Sequence, residues 1–453
     1  MDNLMLDRSI PPLAGKPKDV KFPDFKEVKT DNGITILVIE DNRLPLVSSS
    51  IVFKRGKYFD SYYGEDCAGL GSIMSELITL GTPRFNGEEL SERIDYLGAD
   101  VNVSSNFDAF IVNFVSLSKN FSELFDLVQE MILQPVFDEK EFLREKSKRL
   151  NEIIAYKDDC EYLSTLLFNK VIYDRTPYSL PLTGTNSSLR ELSVTKVKQL
   201  HSDLINPGEM LISFIGDITA DESIEKVEKY FSHLNRSDLK SESEKIKLLP
   251  KAGVYLTNKG GAVQASMKIG HRGIEKKSED FLKIKFMNTI LGGSFTSRIN
   301  HNLREVNGFT YGARSFFIQR RYAGDFCIET EVKNDLTAPA CEQVIKVLRE
   351  FTSEKITEDE LELTKNYIAG SFPLQLETPQ SISTLLINLR LFDMEKDFYD
   401  NYVTETLKIT SEEVLETARK YINPDEISYC LAGDVESISG LMEQIGAVKI
   451  IQV

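Results

Sequence analysis

An internal repeat constrains the fold of this sequence more than any other feature of its 453 residues. An I-N-P motif begins at Ile205, and the apolar residues that follow it end at Gly216. The same order begins at Ile422 and ends at Gly433, so every matched position is offset by 217 residues. A period of this length indicates a duplicated domain, because the units of solenoid proteins are only about 20 to 50 residues long.

A second pair of motifs has nearly the same offset. Asp138-x-x-Glu141 and Thr357-x-x-Glu360 each resemble a helix N-cap with its reciprocal acid, and each opens a long pattern with helical spacing. Between the halves lies a polar, Ser-rich stretch with the composition of a surface linker. The repeat therefore spans whole domains. The predicted division is an N-terminal extension of residues 1–22, a first domain of 23–235, a linker of 236–251 and a second domain of 252–453.

Both halves mix runs rich in β-branched and aromatic residues with patterns of helical spacing. Neighbouring strands followed by helix pairs are typical of α+β domains whose sheets are largely antiparallel. We therefore predict two homologous α+β domains. The predicted strands are 33–40, 47–53, 108–117, 254–257, 265–269, 310–318 and 325–332, and the predicted helices are 68–80, 121–133, 139–157, 161–172, 336–351 and 358–369.

Composition excludes several classes of partner. The chain has 70 acidic and 54 basic side chains, a net charge of −16, and no run of Lys or Arg typical of nucleic-acid or anionic-membrane binders. No apolar run approaches the roughly 18 to 20 residues of a membrane span, and the first residues lack the pattern of a signal peptide. We expect a cytoplasmic protein with no nucleic-acid or membrane partner. A periplasmic location is the alternative if a leader has been removed.

Two segments of the first half carry polar side chains at helical spacing. Residues 69–82 read GLGSIMSELITLGT, and their apolar positions form one stripe that leaves Ser72, Ser75 and Glu76 on the opposite face. Taken alone, this pattern predicts a solvated helix face. Further along, Glu145 and Glu152 stand seven residues apart within one helical pattern, which by itself indicates surface charge.

In the second half, residues 291–317 read LGGSFTSRINHNLREVNGFTYGARSFF. A Gly-rich turn leads to a helix that ends near Arg304, and a strand is predicted to begin near Tyr311. Taken alone, these two residues indicate an Arg with its stem on the surface and a Tyr on a strand face.

Together these segments resemble the insulinase-like or pitrilysin-like zinc peptidases, the inverzincins, from about residue 23 to residue 434. In that family the frame of residues 69–82 holds H-x-x-E-H before a closing Gly-Thr. The resemblance places Ser72 and Glu76 at the two His ligand positions and Ser75 at the general base position. Glu145 and Glu152 match the family's two downstream Glu, and Glu152 lies 76 residues after Glu76.

All three catalytic positions of the zinc motif have therefore changed. Two carboxylates and a serine without imidazole make a poor tetrahedral zinc site, and no side chain at position 75 could deprotonate a bound water. We predict no metal and no other cofactor in this chain.

The family's L-R-E-x-x-G-x-x-Y stretch matches residues 303–311. The resemblance implies that Arg304 and Tyr311 are catalytic donors that reach across to a zinc-bearing domain. A guanidinium and a phenol can donate hydrogen bonds to a peptide carbonyl oxygen that becomes negative in the tetrahedral intermediate.

In two-subunit bacterial members and in mitochondrial processing peptidase, one chain carries the zinc motif and a homologous partner lacks it. The resemblance implies that this chain is such a non-catalytic subunit, forming half of a clam-shell chamber. The partner would supply zinc, and an unfolded peptide would add as a strand to a sheet edge.

Two alternatives remain at this point. One is a peptidase-like scaffold or peptide-binding protein with no hydrolytic role, similar to the family's respiratory-complex core subunits. The other is a self-contained enzyme that uses Glu76, Glu145 and Glu152 with Mg²⁺, Mn²⁺ or Ca²⁺, the cations that oxygen ligands suit.

Overall fold

A computed structural model describes residues 15, 20–64, 67–237, 252–276 and 279–453. Within these ranges the chain forms two α+β domains, each built on one six-stranded sheet. The predicted linker beyond residue 237 and most of the predicted N-terminal extension lie outside the described residues, so the domain bounds stay predictions.

The first domain opens with a strand pair and closes with a central strand and a helix. Its strands are β1 Lys26–Lys29, β2 Thr35–Glu40, β3 Leu46–Phe53, β4 Asp100–Ser105, β5 Phe110–Leu117 and β6 Met210–Gly216. Its helices are α1 Leu70–Leu77, α2 Gly87–Tyr96, α3 Ser118–Leu133, α4 Glu139–Tyr156, α5 Cys160–Ile172, α6 Asn186–Glu191, α7 Val194–Leu204 and α8 Ala220–Phe231.

The second domain repeats this order with small changes at its ends. Its strands are β7 Gly253–Asn258, β8 Gln264–Gly273, β9 Ala313–Gln319, β10 Gly324–Lys333, β11 Ser428–Gly433 and β12 Val448–Ile450. Its helices are α9 Phe281–Asn288, α10 Arg298–Asn300, α11 Thr337–Ser353, α12 Glu358–Ser371, α13 Pro379–Leu391, α14 Phe398–Lys408, α15 Ser411–Tyr421 and α16 Val435–Met442. A π-helical stretch, His301–Val306, continues α10.

The two sheets have matching strand orders, β1-β2-β6-β3-β5-β4 and β12-β7-β11-β8-β10-β9. Only β2–β6, β7–β11 and β7–β12 are parallel pairs, and the other neighbours are antiparallel. Apart from β1 and β12, each strand of one sheet has its counterpart in the other. The structure thus confirms the predicted duplication and the largely antiparallel α+β class.

The repeated I-N-P motif has a structural reason. The Asn206 side chain accepts a hydrogen bond from the backbone N–H of Gly208 at 3.2 Å, and Asn423 accepts one from Asp425 at 3.2 Å. Both are local turns of the kind that Asn forms with the residue two positions on. Each turn delivers the chain into the strand, β6 or β11, that inserts at the centre of its sheet.

The second repeated motif is reciprocal in only one copy. Thr357 and Glu360 form a complete capping box at the start of α12. Asp138 caps α4 by accepting from two backbone N–H groups, but the Glu141 carboxylate pairs with Arg144. The predicted reciprocal acid is therefore correct for α12 and wrong for α4.

The duplicated domains exchange equivalent helices. Helix α5 packs on β8 and β11 of the second sheet, and α13, which begins 219 residues later, packs on β3 and β6 of the first. Ser164 of α5 shares a hydrogen bond with Ser266 at 3.1 Å. Ser383, at the same position of α13, contacts Ser50 at 2.9 Å and Ser213 at 2.8 Å. Each domain therefore completes the other's core.

A buried cation joins the two domains at another point. Arg320, between β9 and β10, hydrogen-bonds Tyr173 of the first domain and pairs with the buried Asp325 at 2.9 Å. Its guanidinium also lies 5.3 Å from the Phe107 ring and 5.2 Å from the Tyr178 ring. Together with the exchanged helices, these contacts fix how the domains are placed. Across the described ranges, no helix has both the length and the apolar character required to cross a bilayer.

Candidate functional site

Helix α1 carries the three residues that align with the zinc motif. It packs against β4, α4 and α7, so these elements cover part of its polar face as well as its apolar stripe. Ser72 is 8% exposed and Ser75 is 6% exposed, whereas Glu76 is open to solvent. The solvated face predicted for both serines is therefore wrong. The Ser75 hydroxyl donates to the carbonyl oxygen of Gly71 at 2.7 Å.

Two buried charges that the sequence did not single out lie beside α1. The Asp60 carboxylate accepts a hydrogen bond from the backbone N–H of Gly71 at 3.2 Å, so it caps a helix whose own N-cap is a glycine. Burial raises the pKa of Asp60 to about 7 and lowers the pKa of Lys57 to about 8. Both residues precede α1 in a short 3-10 helix, Lys57–Tyr63, whose sequence shows no helical period.

A guanidinium lies between two of the family's ligand positions. Arg149 of α4 approaches Glu76 to 3.6 Å and Glu152 to 3.4 Å, with its side chain 16% exposed. Spacing alone did not point to Arg149, because its role depends on the packing of α1 against α4.

Glu145 differs from its prediction. It was interpreted as surface charge, but it is only 6% exposed and is held by Arg144 at 3.0 Å and Lys148 at 3.6 Å. Glu152 is half-buried, and its pairing with Arg149 gives it a definite partner.

This residue set does not fit a catalytic metal. Within the described ranges, no three His, Cys, Asp or Glu side chains come close enough together to hold a metal ion. Ser75 is committed to a backbone carbonyl, and a guanidinium lies beside both Glu76 and Glu152. Glu76, Glu145 and Glu152 form no such cluster among the described residues, so their arrangement gives no support to the metal-dependent alternative.

Arg304 and Tyr311 occupy an exposed rim of the second domain. The Arg304 guanidinium lies 4.6 Å from the centre of the Phe295 ring and 3.4 Å from the Glu305 carboxylate. Tyr311 is 94% exposed and precedes β9 by two residues, so it is not the strand-face residue that its pattern indicated. Phe295, against which Arg304 lies, is also 69% exposed, so this rim presents two large aromatic rings to solvent.

Asn300 holds the parts of this rim together. Its side chain donates to the carbonyl oxygen of Phe295 at 2.6 Å and accepts from the backbone N–H of Ala313 at 3.0 Å. One residue therefore links the ring beneath Arg304 to the chain just beyond Tyr311. It escaped the sequence analysis because a lone Asn carries no pattern.

Tyr311 lines two clefts. The larger has a volume of about 690 Å³ and lies between α9 and β9. The smaller, of about 260 Å³, includes Glu161 of α5 and Glu331 of β10. Neither cleft contains Ser72, Ser75, Glu76 or Glu152, so the structure does not bring the Arg–Tyr pair and the altered zinc motif into one cleft.

The sheet edges β4 and β9, which correspond to each other in the duplication, differ. On β9, Asn288 donates to the carbonyl oxygen of Ser315 at 2.8 Å, and Asn300 accepts from Ala313. These side chains occupy positions where an added strand would bind. On β4, no described residue other than its neighbour β5 hydrogen-bonds to the strand backbone.

Comparisons with known proteins identify similar sequences along most of this chain. A family model described as insulinase (peptidase family M16) matches residues 35–186, and one described as peptidase M16 inactive domain matches residues 191–368. An uncharacterized zinc protease, YmxG, of Bacillus subtilis is 24% identical, covering 90% of this chain and 97% of its own length. A non-peptidase homolog, YmxG, of Helicobacter pylori is 20% identical, covering 88% and 92%.

Solved structures share the fold. A peptidase M16 inactive domain from Pseudomonas fluorescens matches with a TM-score of 0.85 at 21% identity, covering 91% of this chain and 98% of its own. A protease from Helicobacter pylori matches with a TM-score of 0.83 at 17% identity, covering 90% and 99%. The chain therefore belongs to the insulinase-like peptidase family M16, as the resemblance implied.

Proposed function

We propose that this chain is the zinc-less subunit of a heterodimeric metallopeptidase, in which a homologous partner carries the H-x-x-E-H motif. In this role the chain binds an unfolded peptide and offers Arg304 and Tyr311 to it. The observation that carries the proposal is the exposure of Tyr311, 94%, on a rim that Asn300 holds in place. The residue set around Arg149, which suits a cation-free site, agrees with a chain that leaves zinc to its partner.

The chemistry of the pair supports this role. Both side chains are hydrogen-bond donors that could meet a carbonyl oxygen as it gains negative charge, and one such donor typically contributes about 2.7 to 4 kcal/mol to catalysis. Stacking on Phe295 leaves the edge of the Arg304 guanidinium, which carries its N–H groups, able to donate. Neither donor needs a metal in its own chain.

The peptide would add to β4 rather than to β9. Main-chain pairing binds an extended peptide without demanding a sequence, provided that the strand edge is free. The Asn288 and Asn300 side chains block part of the β9 edge, whereas the described part of the chain leaves the β4 edge open. Strand β4 also contacts α1, so a peptide there would run beside the altered zinc motif.

The test is hydrolysis of a quenched fluorescent peptide library by this chain alone, by an H-x-x-E-H homologue alone and by the mixture, with zinc measured in each. We expect activity only in the mixture. Tyr311→Phe and Arg304→Met should each lower kcat/KM about 100-fold while the heterodimer still forms. Tyr96→Phe is the matched control, since Tyr96 is also exposed, at 77%, but lies in α2. Unchanged turnover in the Tyr311 and Arg304 variants would remove both from the site.

A scaffold without hydrolytic role is the second candidate. Two observations favour it: Arg149 lies at the metal position, and two similar proteins are described as a non-peptidase homolog and an inactive domain. A heterodimer that forms fully but cleaves no peptide would select this candidate over the first.

A further inference from the structure

The larger cleft beside Tyr311 has apolar walls. It lies between α9 and β9, encloses about 690 Å³ and is closed on one side by α12. Several large apolar side chains line it: Phe281, Ile284, Phe295, Phe316, Ile318 and Tyr367. A space of this size accepts a large side chain together with a short length of backbone.

The charges of this cleft are all of one sign. Its lining includes two cations, Lys285 and Arg314, and no acidic residue, although the whole chain carries a net charge of −16. Among the described residues, no carboxylate lies within 4.0 Å of either cation, and Lys285 lies 5.1 Å from the Tyr402 ring. Arg314 stands opposite Glu329 in the β9–β10 pair and also lines the smaller cleft, so Lys285 is the cation that belongs to this cleft alone. Both side chains remain exposed to the cleft. Burial against neighbouring protein atoms lowers the pKa of Lys285.

The neighbouring cation on the same helix shows the contrast. Lys283 lies two residues before Lys285 on α9, outside the cleft lining, and pairs with Glu413 at 3.0 Å. The lack of a paired carboxylate in the described part of the chain thus distinguishes Lys285, which lines the cleft, from Lys283, which lies outside it on the same helix. A concave, partly apolar site with unpaired cations is complementary to a ligand that carries a carboxylate beside an apolar group.

The geometry of an extended peptide restricts which carboxylate can fill this site. Successive side chains of a strand point to opposite faces, so an internal acidic residue and an apolar residue on the same face stand at least two positions, about 7 Å, apart. A C-terminal residue differs, because its carboxylate and its own side chain diverge from a single Cα atom. It can present both groups to the same cleft.

From this complementarity we infer that the cleft between α9 and β9 binds the C-terminal residue of an unfolded peptide, with its carboxylate at Lys285 and Arg314 and a large apolar side chain between Ile284 and Tyr367. The inference rests on the proposed function only in taking a peptide as the ligand. It adds an end-specific anchor on this chain, next to the smaller cleft with Glu161 and Glu331, with which it shares Tyr311 and Arg314 in its lining.

The test measures the binding of an unstructured peptide, labelled at its N-terminus, to the full chain without any partner. The fluorescence anisotropy of the label reports the binding. The probe ends in Phe with a free carboxylate. Three comparison peptides end in Phe amide, in Ser with a free carboxylate, or in Phe amide after an internal Glu. We expect the amide to bind at least about tenfold more weakly than the free acid, as loss of a charge-assisted hydrogen bond would cause. Higher salt should reduce this difference.

Variants then assign the effect to the cleft. Lys285→Met should abolish the preference for the free acid, and Tyr367→Ser should abolish the preference for Phe over Ser. Lys283→Met, the matched control, should retain both preferences. If Lys285→Met does not fold, the wild-type comparison of free acid and amide still decides the inference.

Equal affinity for the free acid and the amide would overturn the inference, and so would a preference that survives Lys285→Met. Binding of the internal Glu peptide as tight as that of the free acid would also overturn it, in favour of an acidic side chain. Peptide hydrolysis by the heterodimer without end-selective binding would refute only this anchor and leave the proposed function intact.

Discussion

The position of Arg149 predicts that restoring the zinc motif will not by itself restore zinc binding. Consider Ser72→His, Ser75→Glu and Glu76→His together, which rebuild H-x-x-E-H on α1 and leave Glu152 as the third ligand. Zinc bound to Glu152 would lie about 2.0 to 2.2 Å from a carboxylate oxygen. Arg149 lies 3.4 Å from that carboxylate, so the two cations would come within about 5 Å of each other.

At this separation the repulsion between charges of +2 and +1 is about 7 kcal/mol for an effective dielectric constant of about 20. Rotation of the guanidinium into solvent would relieve part of this repulsion. We therefore expect that adding Arg149→Gln to the triple variant improves zinc affinity by about 3 kcal/mol, which is about 100-fold in Kd.

The assay is competition with a chromophoric zinc chelator at neutral pH. It compares the wild type, the triple variant, the triple variant with Arg149→Gln, and the triple variant with Arg144→Gln. Arg144 is the matched control, because it also lies on α4 but pairs with Glu141 and Glu145. If the triple variant alone binds zinc as tightly as it does with Arg149→Gln, the argument that Arg149 excludes the metal is refuted.

Two further predictions concern stability. Because the folded pKa of Asp60 is raised from 3.8 to about 7, its stabilisation is fully present below pH 3.8 and is lost as pH rises through about 7. As the pH rises from about 5 to about 8, the free energy of unfolding of the wild type should therefore fall by about 2 to 3 kcal/mol more than that of Asp60→Asn. Urea titration at each pH measures both values, and parallel pH profiles would contradict this prediction. Ser383→Ala removes a hydroxyl that joins Ser50 and Ser213 and should cost about 1 to 3 kcal/mol, more than Ser164→Ala, whose hydroxyl contacts only one serine of the other domain. Equal midpoints and slopes for the two serine variants in urea would contradict this difference, and midpoints equal to that of the wild type would show that these hydroxyls do not stabilise the exchanged helices.

Much of the fold could be predicted because positions that are buried at regular intervals carry apolar residues, which gives the sequence a helical or strand period. The predicted helix 139–157 corresponds to α4, and the predicted strand 325–332 lies within β10. The I-N-P motifs indicated the duplication because each forms the turn that precedes a central strand. Strand β4 was missed, since its residues, DVNVSS, alternate between exposed and half-buried positions and include few large apolar side chains.

The candidate site divides in the same way. Sequence comparison with the family located Arg304, Tyr311 and the altered zinc motif, because a motif keeps its spacing when its chemistry changes. The burial of Ser72 and Ser75 could not be predicted, because it depends on the helices that pack across α1 from distant parts of the chain. The roles of Arg149, Asp60 and Asn300 also arise from contacts between separate elements.

The duplicated α+β architecture and the loss of the zinc-binding residue types can therefore be inferred without a structure. Both follow from local periodicity and from which side chains are present. Three other features are visible only in the folded protein: a guanidinium lies at the metal position, α5 and α13 exchange between the domains, and Lys285 lines the cleft beside Tyr311 without a paired acid among the described residues. These features depend on which surfaces meet in space, and residues far apart in the chain carry no local pattern that records their contact.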